Sequence, residues 1–120
     1  MVDEPVTLAY TEWALVGLEG DQVEVGPDEL RPSLVFDLEE SRVSGSGGVN
    51  RLTGTFVMGE GELRFGPLAS TRMAGPEHAM ELEDRFIVAL GRVTSFELDG
   101  GVLTLVADGE PVARLSVESP

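Results

Sequence analysis

The chain has no cysteine and no lysine, and among its 120 residues there is one histidine, one tryptophan and one tyrosine. Without cysteine no disulfide can hold the fold. The lack leans towards a reducing compartment, although many exported proteins also do without cysteine. One histidine and no thiol leave too few ligands for a zinc site, which needs three or four. That histidine, His78, has no nucleophile-elbow motif to pair with, so no catalytic triad can be written. Bases are scarce too: eight, all arginine, against 22 acids, for a net charge of −14. A surface of that sign repels phosphate backbones and anionic membranes, and the spacing of the arginines along the chain offers no concentrated basic patch. Neither nucleic acid nor an anionic membrane surface is an expected partner. No apolar run approaches the roughly 18 residues of a membrane span. Met1-Val2-Asp3-Glu4-Pro5 carries neither a basic n-region nor an apolar h-region. The chain as written therefore reads as cytoplasmic, or as an envelope or exported protein if a leader has been removed.

What is present suits one small domain over residues 1–120. With 42% hydrophobic residues there is material for a single core without metals or cross-links. Short apolar segments flank glycine or acidic turns. Leu34 to Phe36 and Arg42 to Ser44 surround Glu39-Glu40-Ser41; Thr53 to Met58 and Glu62 to Phe65 surround Gly59-Glu60-Gly61. Phe96 to Leu98, Val102 to Ala107 and Val112 to Val117 follow one another across Asp99-Gly100-Gly101 and Asp108-Gly109-Glu110-Pro111. Each is a hairpin signal, because glycine supplies the positive φ of tight turns. Alternation puts Leu103 and Leu105 on one face, and sets Ala113, Leu115 and Val117 against Arg114, Ser116 and Glu118. Trp13 and Leu15 share a face of the first strand. Between Gly17 and Pro32 the chain reads as a loop with a short strand at Gln22 to Val25.

One segment departs from this pattern. Ala79, Leu82, Phe86, Ala89 and Leu90 recur at helical spacing, Pro76 suits the first helical position, acids crowd the early turns and Gly91 is a stop. The expected fold is mainly β: a small antiparallel barrel-like sheet of about 7–9 strands with one helix, about 76–90, packed against it. Trp13, Phe36, Phe56, Phe65, Phe86 and Phe96 are its expected core.

From Trp13 onward the motifs resemble the META domain (HslJ-like) family. They are Glu12-Trp13-Ala14-Leu15, then Gly45-Ser46-Gly47-Gly48-Val49-Asn50, Gly54-Thr55-Phe56, Leu68 to Gly75 with Thr71-Arg72-Met73-Ala74, and Glu83, Phe86 and Leu90 on the helix. The resemblance makes Trp13, Gly48, Val49, Asn50, Thr71, Met73, Gly75 and Phe86 motif positions of structural character. It implies no catalytic, cofactor or metal site, since the family has no established reaction. Its members are associated with heat stress and the bacterial envelope. Two family cysteines are replaced here by Val49 and Gly75. If losing one removed the reason for the other, these two positions approach each other, with Cα atoms within about 8 Å.

Other features have plain structural readings beside the tempting ones. The Gly45 to Asn50 run lacks the Gly-Lys-Ser/Thr ending of a phosphate loop and reads as a tight turn. Asn50 is expected to bond backbone nearby. His78 is expected to be exposed on the first helical turn, and Thr71 and Arg72 to cap and pack the strand–helix junction rather than bind an anion. The acid clusters Asp37/Glu39/Glu40, Glu81/Glu83/Asp84 and Asp108/Glu110 read as solvated charge rather than calcium sites. The functional expectation is a monomeric, non-enzymatic accessory domain acting through contact with another protein in stress or envelope physiology. The alternative is a barrel that holds a small apolar ligand.

Overall fold

Every hairpin that the turns predict is formed. The computed structural model describes residues 8, 11–26 and 29–117, and Glu118, expected to face outward, lies outside them. The elements run β1 (Trp13–Leu18), β2 (Asp21–Gln22), β3 (Ser33–Asp37), β4 (Arg42–Ser46), β5 (Arg51–Met58), β6 (Leu63–Phe65), β7 (Ala69–Ser70), α1 (Glu77–Arg92), β8 (Ser95–Asp99), β9 (Val102–Ala107) and β10 (Glu110–Val117). The main path of the antiparallel sheet is β6-β5-β4-β3-β1-β10-β9-β8, with β2 beside β1 and β7 beside β5. The two ends of this path meet. The Leu63 amide donates to the Thr94 carbonyl at 3.2 Å and the Phe96 amide to the Gly61 carbonyl at 3.0 Å, around a bridge between Glu62 and Ser95. The sheet thereby closes almost completely into a barrel.

Alternation then decides what lies inside. Trp13, Leu15, Leu34, Phe36, Leu63, Leu103, Leu105 and Leu115 are essentially inaccessible to solvent. Phe36 meets Phe56 edge-on at 5.3 Å and Phe65 at 6.0 Å, so the rings interlock. Phe65 and Phe96 are half-buried, at the margin of this core. Each large side chain so hidden contributes about 1.5–3 kcal/mol of transfer free energy. The Trp13 indole N–H, which could not be buried unpartnered, donates to the Leu8 carbonyl at 3.1 Å.

The helix lies against the sheet and buries Ala79, Glu83, Phe86, Ala89 and Leu90. Two details of the helix differ from the sequence reading. Pro76 is the N-cap, with ψ 144°, and Glu77 opens the helix. Gly91 does not stop it: the helix continues through Arg92, and the Val93 amide bonds back to the Leu90 carbonyl at 3.3 Å. An isolated glycine near a helix end lowers stability without breaking the hydrogen-bond ladder. Gly17 and Leu18, expected in a loop that runs to Pro32, extend β1 because they pair with Gln22 and Asp21, and β2 is shorter than the expected strand and ends at Gln22. The rest of the loop is tied down by Arg31, whose guanidinium donates to the Leu15 and Val23 carbonyls at 2.8 and 3.0 Å.

Candidate functional site

The sequence motifs converge where the β4–β5 turn, the segment after β7 and the first half of α1 meet. Gly48 adopts φ +113°, a conformation that L side chains rarely enter, and this turns the chain after β4. The Gly47 amide then bonds the Asn50 carbonyl at 2.9 Å, closing the loop.

At the centre sits Glu83, only 3% exposed. Its carboxylate accepts from the Val49 and Asn50 amides at 3.0 and 2.6 Å and from the Asn50 side-chain Nδ2 at 2.8 Å. Asn50, also buried, uses the remainder of its amide on the next segment. Its Oδ1 accepts from the Thr71 hydroxyl at 2.8 Å and the Met73 amide at 2.6 Å, and Nδ2 donates to the Met73 carbonyl at 3.2 Å. Thr71 Oγ1 in turn accepts from the Arg51 amide at 3.1 Å. Both donors and both acceptor positions of the Asn50 side chain are therefore filled. No buried side-chain nitrogen or oxygen among the described residues lacks a partner.

Small residues make room for this latch. A Cβ at Gly47 would lie 2.4 Å from Glu83 Cγ, so only glycine lets the carboxylate reach the loop. A Cβ at Gly75 would lie 3.6 Å from Val49 Cβ, which holds the two Cα atoms within about 6.7 Å of each other. The expected approach of Val49 and Gly75 is therefore present. Beside the latch, Met73 and Leu30 are 59% and 68% exposed, large apolar side chains offered to solvent.

Of the motif positions, Gly48, Val49, Asn50, Thr71, Met73 and Gly75 come together here, while Trp13 and Phe86 belong to the core. Three expectations are corrected. No side chain caps the helix, so Thr71 and Arg72 do not cap it; Thr71 bonds Asn50 instead, and Arg72 is exposed. Glu83 is not a solvated charge; it is the buried hub. The Asn50 side chain bonds not its own loop but residues 21, 23 and 33 positions away. In sequence Glu83 reads as a helix residue and Gly47 as part of the glycine run, and the two are not brought together. The spacing held a signal, because Glu83 lies four residues after Ala79 and three before Phe86, inside the apolar stripe.

The remaining candidates stand apart from the latch. His78 is exposed on the first helical turn and its Nδ1 lies 3.4 Å from Glu29 Oε1. The Glu29 carboxyl is held below its ordinary value of 4.5, first by the Gly26 amide and then by His78, with burial opposing both. Asp37 accepts from the Glu39 and Glu40 amides, a local turn, and Asp108 occupies a turn at φ 52°. Among the described residues no group of three or more His, Cys, Asp or Glu could hold a metal ion, and no helix is long and apolar enough to cross a membrane.

Comparison with known proteins places this geometry in a wider set. A chain solved by NMR is 26% identical, with a TM-score of 0.69 over 93% of this chain and 95% of that one. Another NMR structure, of a protein from Burkholderia xenovorans, is 22% identical, with a TM-score of 0.71 over 100% and 94%. The crystal structure of a duf4847 family protein from Bacteroides vulgatus shares the fold at 14% identity, with a TM-score of 0.65 over 94% and 96%. No curated protein matches. The family model described as META domain matches residues 6–119, nearly the full length in which the barrel, the helix and the latch lie, and the chain belongs to the META domain family.

Proposed function

We propose that this META domain is a non-enzymatic accessory protein, HslJ-like in role, that acts through contact with another protein in stress or envelope physiology. The observation that carries the reading is the state of Glu83. It is the one buried acid among the described residues, and all three of its hydrogen bonds go to Val49 and Asn50. A general acid or base must reach a substrate proton; this carboxylate is spent on holding two surface segments in place. His78, the only imidazole, has a carboxylate neighbour in Glu29 and none in Glu83. The latch makes a rigid platform from which Met73 and Leu30 project, and pre-ordered apolar side chains lose little entropy on binding a partner.

A hollow barrel for an apolar ligand gains no support, because the rings of Trp13, Phe36, Phe56 and Phe86 and the leucines around them fill the interior. A monomer is the expected state, since a net charge of −14 opposes self-association.

The test is site-specific photo-crosslinking in living cells of the source organism, with a photoreactive residue at Met73 and, as control, at Glu60. A discrete adduct at 73 that is missing at 60 and weakens in Leu30→Asp supports the reading. Equal labelling at both positions, or a deletion strain with no growth defect under heat or envelope stress, overturns it.

A further inference from the structure

A second feature lies outside the latch and shares no residue with it. Along β2, β1 and β10 runs a surface groove of about 630 Å³, lined in part by Gly17, Asp21, Gln22, Val112 and Arg114. That is the size of a small-ligand site.

Its floor is Gly17, and nothing in the fold requires glycine there. Its φ lies outside the left-handed region, and a Cβ would meet only Arg114 Cβ at 3.6 Å and the Asp21 carbonyl at 3.7 Å, ordinary contacts. The contrast with other glycines is direct. A Cβ at Gly45 would fall 2.0 Å from the Ser33 carbonyl and one at Gly54 2.6 Å from Leu68 Cδ2, so packing excludes side chains at both. A glycine inside a strand weakens it and often marks a bulge or a place where another group approaches the backbone; Gly17 stands at the β1 bulge, and its bare backbone leaves the groove open there.

The strand register shows what flanks that floor. Gly17 is paired with Gln22 on one side and Arg114 on the other. Cross-strand partners share a face, so a carboxamide and a guanidinium stand on either side of a bare stretch of backbone. Both neighbouring strands are bulged at this point: β1 between Leu15 and Gly17, and β10 between Pro111 and Ala113. Bulges loosen a ladder and re-aim side chains, often beside binding sites.

One charge, that of Arg114, shares the face of this floor. Arg114 is exposed and has no ion pair among the described residues, whereas Arg85 and Arg92 are both engaged with Glu19. A free guanidinium takes a carboxylate in paired hydrogen bonds. Asp21 pairs with the buried Leu18, so its side chain takes the other face; its backbone carbonyl, 3.7 Å from where a Gly17 Cβ would stand, can accept from an amine. Gln22, next to it, both donates and accepts, which matches a peptide group.

We propose that this groove binds short peptides with free ends. The terminal carboxylate lies on Arg114, a peptide group on Gln22, the amino terminus against the Asp21 carbonyl, and the ligand backbone passes over Gly17. The site is independent of the Met73 surface and stands whether or not that surface has a partner.

The experiment is an NMR titration of the ¹⁵N-labelled protein with trialanine, then with its C-amidated and N-acetylated forms. For a half-open site the expected Kd is on the order of 1 mM. Shifts should map to Gly17, Asp21, Gln22 and Arg114. C-amidation and Arg114→Gln should each weaken binding about tenfold, as loss of one charge-assisted pair requires. Gly17→Val should abolish the shifts while leaving the melting temperature unchanged or raised, because the strand accepts the side chain. The proposal is overturned if trialanine shifts none of these amides, if the shifts map elsewhere, or if Gly17→Val, still folded, titrates like the parent.

Discussion

Replacing both Val49 and Gly75 by cysteine should close a disulfide with little backbone movement. A Cβ at Gly75 would lie 3.6 Å from Val49 Cβ, inside the roughly 3.5–4.5 Å span of bridged cysteines. The φ of Gly75 is outside the left-handed region, so a side chain there carries no backbone strain. The Val49 methyls that the new Cβ would approach at 3.0 Å leave with the same pair of changes. The bridge closes a loop of roughly 26 residues, which constrains the unfolded chain by about 3.5 kcal/mol. Losing the half-buried valine side chain offsets about 1 kcal/mol of this. The remainder, about 2.5 kcal/mol, corresponds to a Tm rise of roughly 10 °C for a domain of this length. The assay compares thermal melts of the oxidised and dithiothreitol-reduced double variant, with thiol counts in the native and denatured states and both single cysteines as controls. If oxidation leaves both thiols titratable in protein that is still folded, the juxtaposition of these segments is wrong.

Other consequences are open to measurement by chemical denaturation or titration. Glu83→Ala strips three donors of their acceptor and should cost about 3–5 kcal/mol. Glu83→Gln keeps the shape but turns an amide against a donor, for a loss of about 1–3 kcal/mol. An alanine variant as stable as the parent would refute the latch. Gly91→Ala, at an exposed helical position where a Cβ meets nothing within 4 Å, should raise stability by about 0.5–1 kcal/mol. A decrease would mean that the helix ends earlier than Arg92. The Glu29 carboxyl, held down mainly by the Gly26 amide, should titrate with a midpoint below 4.5 in a carbon-detected NMR experiment. Since its folded-state value is depressed, its contribution to stability is present above the unfolded value and fades as pH falls through the folded one. A midpoint at or above 4.5 would show that the hydrogen bond from the Gly26 amide to the Glu29 carboxylate is not formed.

Much of this architecture was legible in the sequence because its signals are local. A glycine between acidic residues bends the chain wherever it stands, and the alternation of Leu103 and Leu105 with Thr104 fixes a face without reference to the rest of the fold. The helix was equally clear from its stripe. The central acid was not. Glu81, Glu83 and Asp84 are alike in composition, and what separates them is the distant Gly47, whose missing side chain admits Glu83 alone. The stripe marked Glu83 as inward-facing, but the partners that let a carboxylate be buried lie some 36 positions away on another element. The extent of the helix failed for the opposite reason. Gly91 is a stop signal in isolation, but Leu90 is fully buried and Val93 nearly so, and that packing carries the helix past it. Gly17 read in the sequence only as the start of a loop; that packing does not demand glycine there emerges beside Gly45 and Gly54, where it does.

The join between β6 and β8 has a further meaning. Most neighbours on the path share ladders of five or so residues and β1 shares two pairs with β3, but here a three-residue strand, one bridge and two amide–carbonyl bonds complete the circle. The molecule should unzip along this line first. Amides of Leu63 and Phe96 would then exchange with deuterium ahead of those in β9 and β10. Once parted, each lip is a bare strand border able to recruit the matching lip of another copy. In this shape resistance to aggregation depends less on the bulk of the hydrophobic interior than on a few bonds at its narrowest stitch.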